Sequence, residues 1–310
     1  MNRSGKLHAL LATARIANVP SVASNVWVGL MIGLLRFESG HAIPMDGIGL
    51  IVLPMAGVCL YISGNFFNDW MDRRWDRSHR PERALPQGLF KPSLYAVIAV
   101  VLAIAGWGLA RIINPASGWV AAAIVFLITI YTLLHKRTAW AVIPMGLCRG
   151  LLPIMGSIAL FPYIDDIWPA ACALLCYIMG LSLSARHESM SEPPMTISIL
   201  SRGLLLGTAI LTAWGCHKLL VFRVPMLIGA LPYLVWTSLC LRRWRKPVPL
   251  LVSRLLAGIP LVDWMTLLPV ALMLAFYGAI DVTLMMVVSF TIPPIAFISA
   301  LFLQKLAPAT

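Results

Sequence analysis

The sequence predicts an all-α membrane protein, a polytopic helical bundle of about 9–10 transmembrane helices, and three observations predict it. Of its 310 residues, 60% are hydrophobic and only 12% are charged, with a mean hydropathy of +0.86. A water-soluble chain of that length must present much polar surface and cannot hide so much apolar surface. The apolar residues also come in long blocks, not in amphipathic stripes. Blocks of about 17–25 residues match the roughly 30 Å hydrocarbon core at about 1.5 Å rise per residue. Finally, lysine and arginine are strongly segregated along the chain.

The apolar runs fall at roughly 20–35, 47–67, 93–113, 118–134, 141–160, 167–184, 203–222, 225–241, 251–278 and 283–303. Several contain Pro or Gly, which membrane helices tolerate better than soluble ones. The run at 251–278 begins with Arg254, holds Pro260 and Asp263, and reads as a segment that starts at the interface. No soluble stretch is long enough to stand apart, so residues 1–310 form a single membrane domain. Residues 1–19 are a basic, weakly amphipathic lead-in without the compact apolar block and cleavage site of a signal peptide.

An even number of crossings with a cytoplasmic N-terminus gathers most of the 24 Lys and Arg on one side. That side receives Arg3, Lys6 and Arg15; then Arg73, Arg74, Arg77, Arg80, Arg83 and Lys91; then Lys136 and Arg137; then Arg186 and Arg202. It also receives Arg242, Arg243, Arg245, Lys246 and Lys305, while the other side keeps Arg36, Arg111, Lys218 and Arg223. This is the positive-inside pattern of a multi-pass integral membrane protein, read here as one of a bacterial inner membrane. Anionic lipid accounts for the net charge of +12, so no nucleic-acid partner is implied. Six cysteines are scattered without a CxxC pair and suggest neither a disulfide framework nor a zinc site.

One loop carries the chemistry. Residues 65–88 read NFFNDWMDRRWDRSHRPERALPQG. Asn68, Asp72 and Asp76 recur at i, i+4 and i+8 and share one face of a helix, with Asp69 beside them. Carboxylates this close repel unless positive charge sits among them. Hard oxygen ligands with few other donors suit Mg²⁺, which commonly bridges to substrate phosphates. Arg73, Arg74, Arg77, Arg80 and Arg83 follow at once, and the forked donors of arginine suit phosphate oxygens. The alternative is a solvated loop whose Asp–Arg pairs cancel locally. Positive-inside segregation predicts the arginines, but not three aspartates at helical spacing.

Asn68-Asp69-Trp70-Met71-Asp72-Arg73-Arg74-Trp75-Asp76 resembles the NDxxDxxxD motif of the UbiA superfamily of intramembrane prenyltransferases. Arg80-Pro81-Glu82-Arg83-Ala84-Leu85-Pro86-Gln87-Gly88 is similar to that family's RP…RPLPSG segment, with Ala84 where proline is usual. YTLLHKR at 131–137 resembles its Tyr…Lys-Arg loop, with Lys136 five residues beyond Tyr131 where four is common. The family's second motif, DxxxD, is replaced by Ser184-Ala185-Arg186-His187-Glu188, which resembles the ARxE pattern of the EboC-like branch.

The resemblance implies a bundle of nine core helices around a cavity open to lipid and capped by loops. It implies Mg²⁺-dependent transfer of a prenyl group from a prenyl diphosphate to a small aromatic or other lipophilic acceptor. Asn68, Asp69, Asp72 and Asp76 become the expected metal ligands. Asp72, Asp76 and Glu188 become the expected catalytic residues. Either Glu188, with or without His187, completes a modified second metal site, or only one site survives; His187 reads first as a solvated loop residue and only second as a ligand. Arg80, Lys136, Arg137 and Arg186 become expected diphosphate contacts. Arg149 is ionisable and lies within an apolar run; such groups usually face the bundle interior. Here it is expected to line the headgroup end of the cavity as a substrate contact, the alternative being an internal salt bridge or snorkelling. The competing reading is a catalytically degenerate member that binds or helps transport a lipid or isoprenoid-linked metabolite. A transporter on an unrelated bundle is a third, weakened because the acids lie at a loop edge and not at the bilayer midplane.

Overall fold

The structure is a computed structural model that describes residues 3–34, 47–186, 195–219, 221, 223–244, 246–276 and 284–307. Among the described residues every regular element is an α-helix or a short 3-10 turn. The amphipathic lead-in forms α1 (Arg3–Thr13), and a 3-10 turn joins it to α2 (Val19–Leu34). Then come α3 (Gly49–His79), α4 (Pro92–Ile113), α5 (Pro115–Leu134) and α6 (Val142–Ser157). The second half holds α7 (Trp168–Arg186), α8 (Met195–Lys218), α9 (Arg223–Arg242), α10 (Val248–Ala257), α11 (Ile259–Phe276) and α12 (Leu284–Leu306).

Local signals set the helix ends. Pro92 and Pro115 open α4 and α5, where a missing N–H is harmless. Asn114 closes α4 with its backbone, and its side-chain oxygen accepts from the Ala116 N–H at 2.8 Å to start α5. One residue therefore makes the whole turn of this hairpin.

Nine segments among the described residues are long and apolar enough to cross a membrane, and Phe290–Leu306 is a shorter apolar helix. The exposed side chains along the middle of α4 and α9 are mostly apolar, including Val97, Val100, Ile104, Leu227 and Leu231, as a lipid-facing surface requires. The run at 251–278 differs from the sequence expectation of a single stretch beginning at the interface. It is two helices, α10 and α11, broken at Gly258 ahead of Pro260. Leu255, Ile259 and Val262 around the break are buried in the bundle.

Helix α2 is the hub, packing on α3, α6, α11 and α12. Its approach to α6 is backbone to backbone. A Cβ added to Gly29 would lie 1.9 Å from the Pro153 carbonyl oxygen, and one added to Gly156 would lie 2.2 Å from that of Val26. Small residues permit such contact where helix association has no hydrophobic drive. Helix α3 is unusual in length. Its 31 residues extend about 46 Å, some three turns beyond a roughly 30 Å hydrocarbon core. The apolar run ends near residue 67, but the helix continues to His79, which carries Asn68–Asp76 out of the apolar layer on a rigid element.

Substituting Gly156 by Leu should therefore cost about 1–3 kcal/mol. It should lower the thermal midpoint of the detergent-solubilised protein. Gly203→Leu, where an added Cβ meets nothing within 4 Å, should leave the midpoint in place.

Candidate active site

The end of α3 assembles a polar mouth. The helix stops at Arg80, and Pro81 prevents its continuation. The chain then folds back through turns closed by Gln87 N–H to Arg83 O (3.1 Å) and Gly88 N–H to Leu85 O (3.0 Å). Gly88 takes φ +69°, a conformation that favours glycine. Ala84 is buried beside Phe66 and Tyr95, which fastens the returning segment to α3 and α4. This return lays Arg83 over the acids of its own helix. Its Nη1 lies 2.9 Å from Asp76 Oδ2 and 3.1 Å from Asp69 Oδ1.

Asp72 is neutralised from another element. The turn after α5 brings His135 Nε2 to 3.0 Å from Asp72 Oδ2 and Lys136 Nζ to 2.9 Å from Oδ1. Asn68 Nδ2 donates to Asp72 Oδ2 at a long 3.4 Å. Lys136 Nζ also sits 3.8 Å from the ring centroid of Trp75, which fixes the ammonium between ring and carboxylate. Two acceptor oxygens in this cluster, Asn68 Oδ1 and Asp76 Oδ1, are buried without a hydrogen-bond partner. Buried acceptors are normally satisfied, so both invite a cation or donor.

Behind the mouth lies a cavity of about 630 Å³. Its polar end holds Asn68, Asp72, Asp76, Arg80, Arg83 and Lys136, and its far end is lined by Gly57, Leu60, Ile124, Leu152 and Ile259. A volume in the 300–1,000 Å³ range with apolar walls and few convergent polar groups is typical of small-molecule sites. The structure thus brings five expected residues together on one cavity: Asn68, Asp72, Asp76, Arg80 and Lys136. Arg149 lines it as well, but deeper in the bundle and not at the headgroup end, because Asn25 and Ser21 of α2 hold its guanidinium there. Asp69 is held by Arg83 and is not among the lining residues, and Arg137 is exposed on the turn outside the cavity. His187 and Glu188 lie outside the described residues, as does the side chain of Arg186. Ser184, four residues before Glu188, bonds Ser201 Oγ at 2.7 Å and the Gly180 carbonyl at 3.1 Å, so it faces α8.

His135 and Arg15 are among the cavity residues that the sequence does not single out for this site. His135 was visible only as a member of the 131–137 loop. Arg15 was counted only as one basic residue of the lead-in, yet it lines the cavity. It is a non-glycine residue with φ 48° and ψ 52°, the left-handed conformation. Burial works against its charge, but Asp69 first, then Tyr61, Tyr131 and Asp72, hold the guanidinium protonated above its ordinary range. Strained backbone persists where surrounding structure over-determines it.

Residues 26–280 match the UbiA prenyltransferase family. The chain belongs to that family. It is 27% identical over 214 residues to protoheme IX farnesyltransferase 1 of Paramagnetospirillum magneticum, covering 61% of this chain and 75% of that protein. It is 28% identical over 151 residues to digeranylgeranylglyceryl phosphate synthase of Methanothrix thermoacetophila, about half (49%) of each chain. Among solved structures, that of a digeranylgeranylglyceryl phosphate synthase in membranes superposes with a TM-score of 0.62 at 18% identity, over 84% of this chain and 98% of that one. The apo structure of a UbiA homologue from Aeropyrum pernix K1 gives 0.59 at 12% identity, over 93% and 98%. At these identities the two structures speak to the fold, which this UbiA family member shares.

Because the left-handed backbone at residue 15 disfavours any Cβ, Arg15→Gly should be more stable than Arg15→Ala by about 1 kcal/mol. Paired thermal or chemical denaturation of the two variants measures that difference. An Ala variant as stable as the Gly variant would contradict the strain assigned here.

Proposed function

We propose that this UbiA family member transfers a prenyl group from a prenyl diphosphate to a lipophilic acceptor, with Mg²⁺ at the mouth. The observation that carries the reading is the junction of two environments. Carboxylates and cations gather at the end of α3, and an apolar cavity opens directly behind them. A prenyl diphosphate has the same division, with a charged head and an apolar tail. The side bearing the mouth is proposed to be cytoplasmic, and the Arg186–Glu188 segment supports a place nearest the EboC-like branch.

The residues present fit a magnesium ion held jointly with substrate. Asn68 Oδ1 and Asp76 Oδ1 are hard, buried and unpartnered. Among the described residues no group of three or more His, Cys, Asp or Glu side chains is arranged as a closed metal cage. Mg²⁺ commonly binds through one or two carboxylates plus substrate phosphates, so an open donor set suits it better than a cage. When bound, the ion would neutralise the diphosphate and ease its departure as a leaving group.

The chain's own residues supply the rest. Arg80 and Lys136, with Arg15 across the mouth, are placed to accept diphosphate charge by forked or point-charge donation. Asp72 holds Lys136 and His135 in place, and Arg83 holds Asp76. The apolar walls from Gly57 to Ile259 house the isoprenoid and keep water from the allylic cation left by ionisation, so that the acceptor captures it. Arg137, exposed on the turn, and Arg186 are proposed as outer phosphate contacts, and Glu188 as the remaining acid near a second position.

A catalytically degenerate lipid-binding member is the second reading. It is favoured by the close pairing of the acids, since Lys136 already meets one Asp72 oxygen and His135 the other. Two measurements separate the readings. On the first, Asp72→Ala lowers Mg²⁺-dependent product formation from a prenyl diphosphate on the order of 10²-fold or more, with the melting profile retained. Chelation of divalent cations should do the same to the wild type. Turnover unchanged in Asp72→Ala removes the role assigned to it. Stabilisation by Mg²⁺ and prenyl diphosphate without pyrophosphate release for any acceptor favours the second reading.

A further inference from the structure

A second polar centre lies inside the bundle, away from the mouth. Arg149 is seven residues into α6, and its guanidinium stacks on Tyr61, which is seven residues below Asn68 on α3. Both helices therefore place it about 10 Å deeper than the acids. It is 8% exposed and lines the cavity. Its partners are neutral: Nη1 donates to Asn25 Oδ1 at 2.8 Å and Nη2 to Ser21 Oγ at 3.2 Å. Among the described residues no carboxylate lies within ion-pair distance of it.

Asp263 of α11 is the nearest acid of this centre and is held off by one residue. Asn25 Nδ2 donates to both its oxygens, at 3.0 and 2.8 Å, and Ser24 Oγ donates to Oδ2. Asn25 can face only one way. Reversing its amide would set NH₂ against the guanidinium and oxygen against the carboxylate, and both contacts repel. Asp263 thus orients Asn25, and Asn25 presents Arg149 to the cavity with its charge uncompensated by direct contact. A cation in a low-dielectric interior without a contacting anion is costly, and such residues in membrane spans usually serve a ligand or ion.

We propose that Arg149 is an oxyanion subsite within the membrane bundle, separate from the mouth, that takes the carboxylate or phosphate of the lipophilic co-substrate. Asn25 and Asp263 are its positioning residues. The assignment of the ligand as co-substrate rests on the prenyl-transfer reading, but the subsite itself is tested without it. An apolar ring bearing an oxyanion fits the surroundings, since Leu60, Ile124 and Leu152 line the same cavity.

The test uses the full-length chain in lipid nanodiscs, with chelator and no prenyl donor, and empty nanodiscs as the blank. Binding of 2-naphthoate, 2-naphthyl phosphate and uncharged 2-naphthylmethanol is measured by equilibrium dialysis. At least one anion should bind the wild type. Arg149→Gln should weaken it tenfold or more, Arg149→Lys should weaken it less, and naphthylmethanol should be unaffected in both. The preferred anion tells carboxylate from phosphate. The paired change Asn25→Asp with Asp263→Asn keeps the net charge but moves the carboxylate against Arg149, and should abolish anion binding. Absence of anion binding to the wild type, equal loss for anion and alcohol, or competitive displacement by inorganic diphosphate overturns the proposal. Failure of prenyl transfer leaves this result standing, and failure of this result leaves the Asp72→Ala test standing.

Discussion

Mutual repulsion among Asp69, Asp72 and Asp76 is the constraint around which this end of the molecule is built. Three carboxylates on two turns of one helix cannot sit together in a partly buried site unless cations are brought to them. Their partners arrive from separate elements. Arg83 comes back through the turn that Pro81 begins and Ala84 fastens, while Lys136 and His135 come from the turn after α5. Arg15 faces the cluster from a strained backbone ahead of α2. The acids therefore organise the loops that cover them. The ion pairs are close enough to define the geometry, yet they leave one oxygen each of Asn68 and Asp76 without a partner.

The same economy explains the depth of the cavity. Helix α3 overshoots the apolar layer, so one rigid rod carries both the acids of the mouth and Tyr61 beside Arg149. Helix α2 touches α6 backbone to backbone and turns Ser21, Ser24 and Asn25 toward α6 and α11. Buried polar groups in lipid must find partners within the bundle. Here each helix supplies what the next lacks, with a guanidinium from α6, an amide and hydroxyls from α2 and a carboxylate from α11. That network couples the helix packing to the chemistry of the cavity wall.

Much of this was legible in the sequence, for identifiable reasons. Membrane helices announce themselves because lipid demands long apolar runs, and each run found in the sequence corresponds to a helix or a broken pair. The i, i+4, i+8 spacing of Asn68, Asp72 and Asp76 placed them on one face, because helical periodicity is local. Arg149 was found because a charge amid an apolar block has little else to do than face inward. Pairings between distant elements were not legible. The segment at 80–88 marks Arg83 as part of a motif but does not say what it pairs with, and only the turn at 81–88 brings it to Asp69 and Asp76. Arg15 was hidden because a left-handed backbone at a non-glycine residue has no compositional signal. Asp263 lies in the same run as Arg254, yet its hydrogen-bond partners come from α2, more than 230 residues away in sequence.

The altered second motif bears on how the proposed site balances charge. Where the family pattern has two aspartates, this chain has Ser184 and Glu188, and Ser184 is spent on the α7–α8 contact. On the proposed reading fewer acids are available to hold divalent cation, while Arg15, Arg80, Arg83 and Lys136 line the same cavity. A diphosphate entering such a mouth meets positive charge that belongs to the protein itself. Fixed donors in a water-poor site need no reorganisation as the leaving group gains charge, which is the condition under which electrostatic stabilisation is strongest. On the proposed reading, loss of the second aspartate pair therefore shifts leaving-group stabilisation from bound metal toward arginine and lysine.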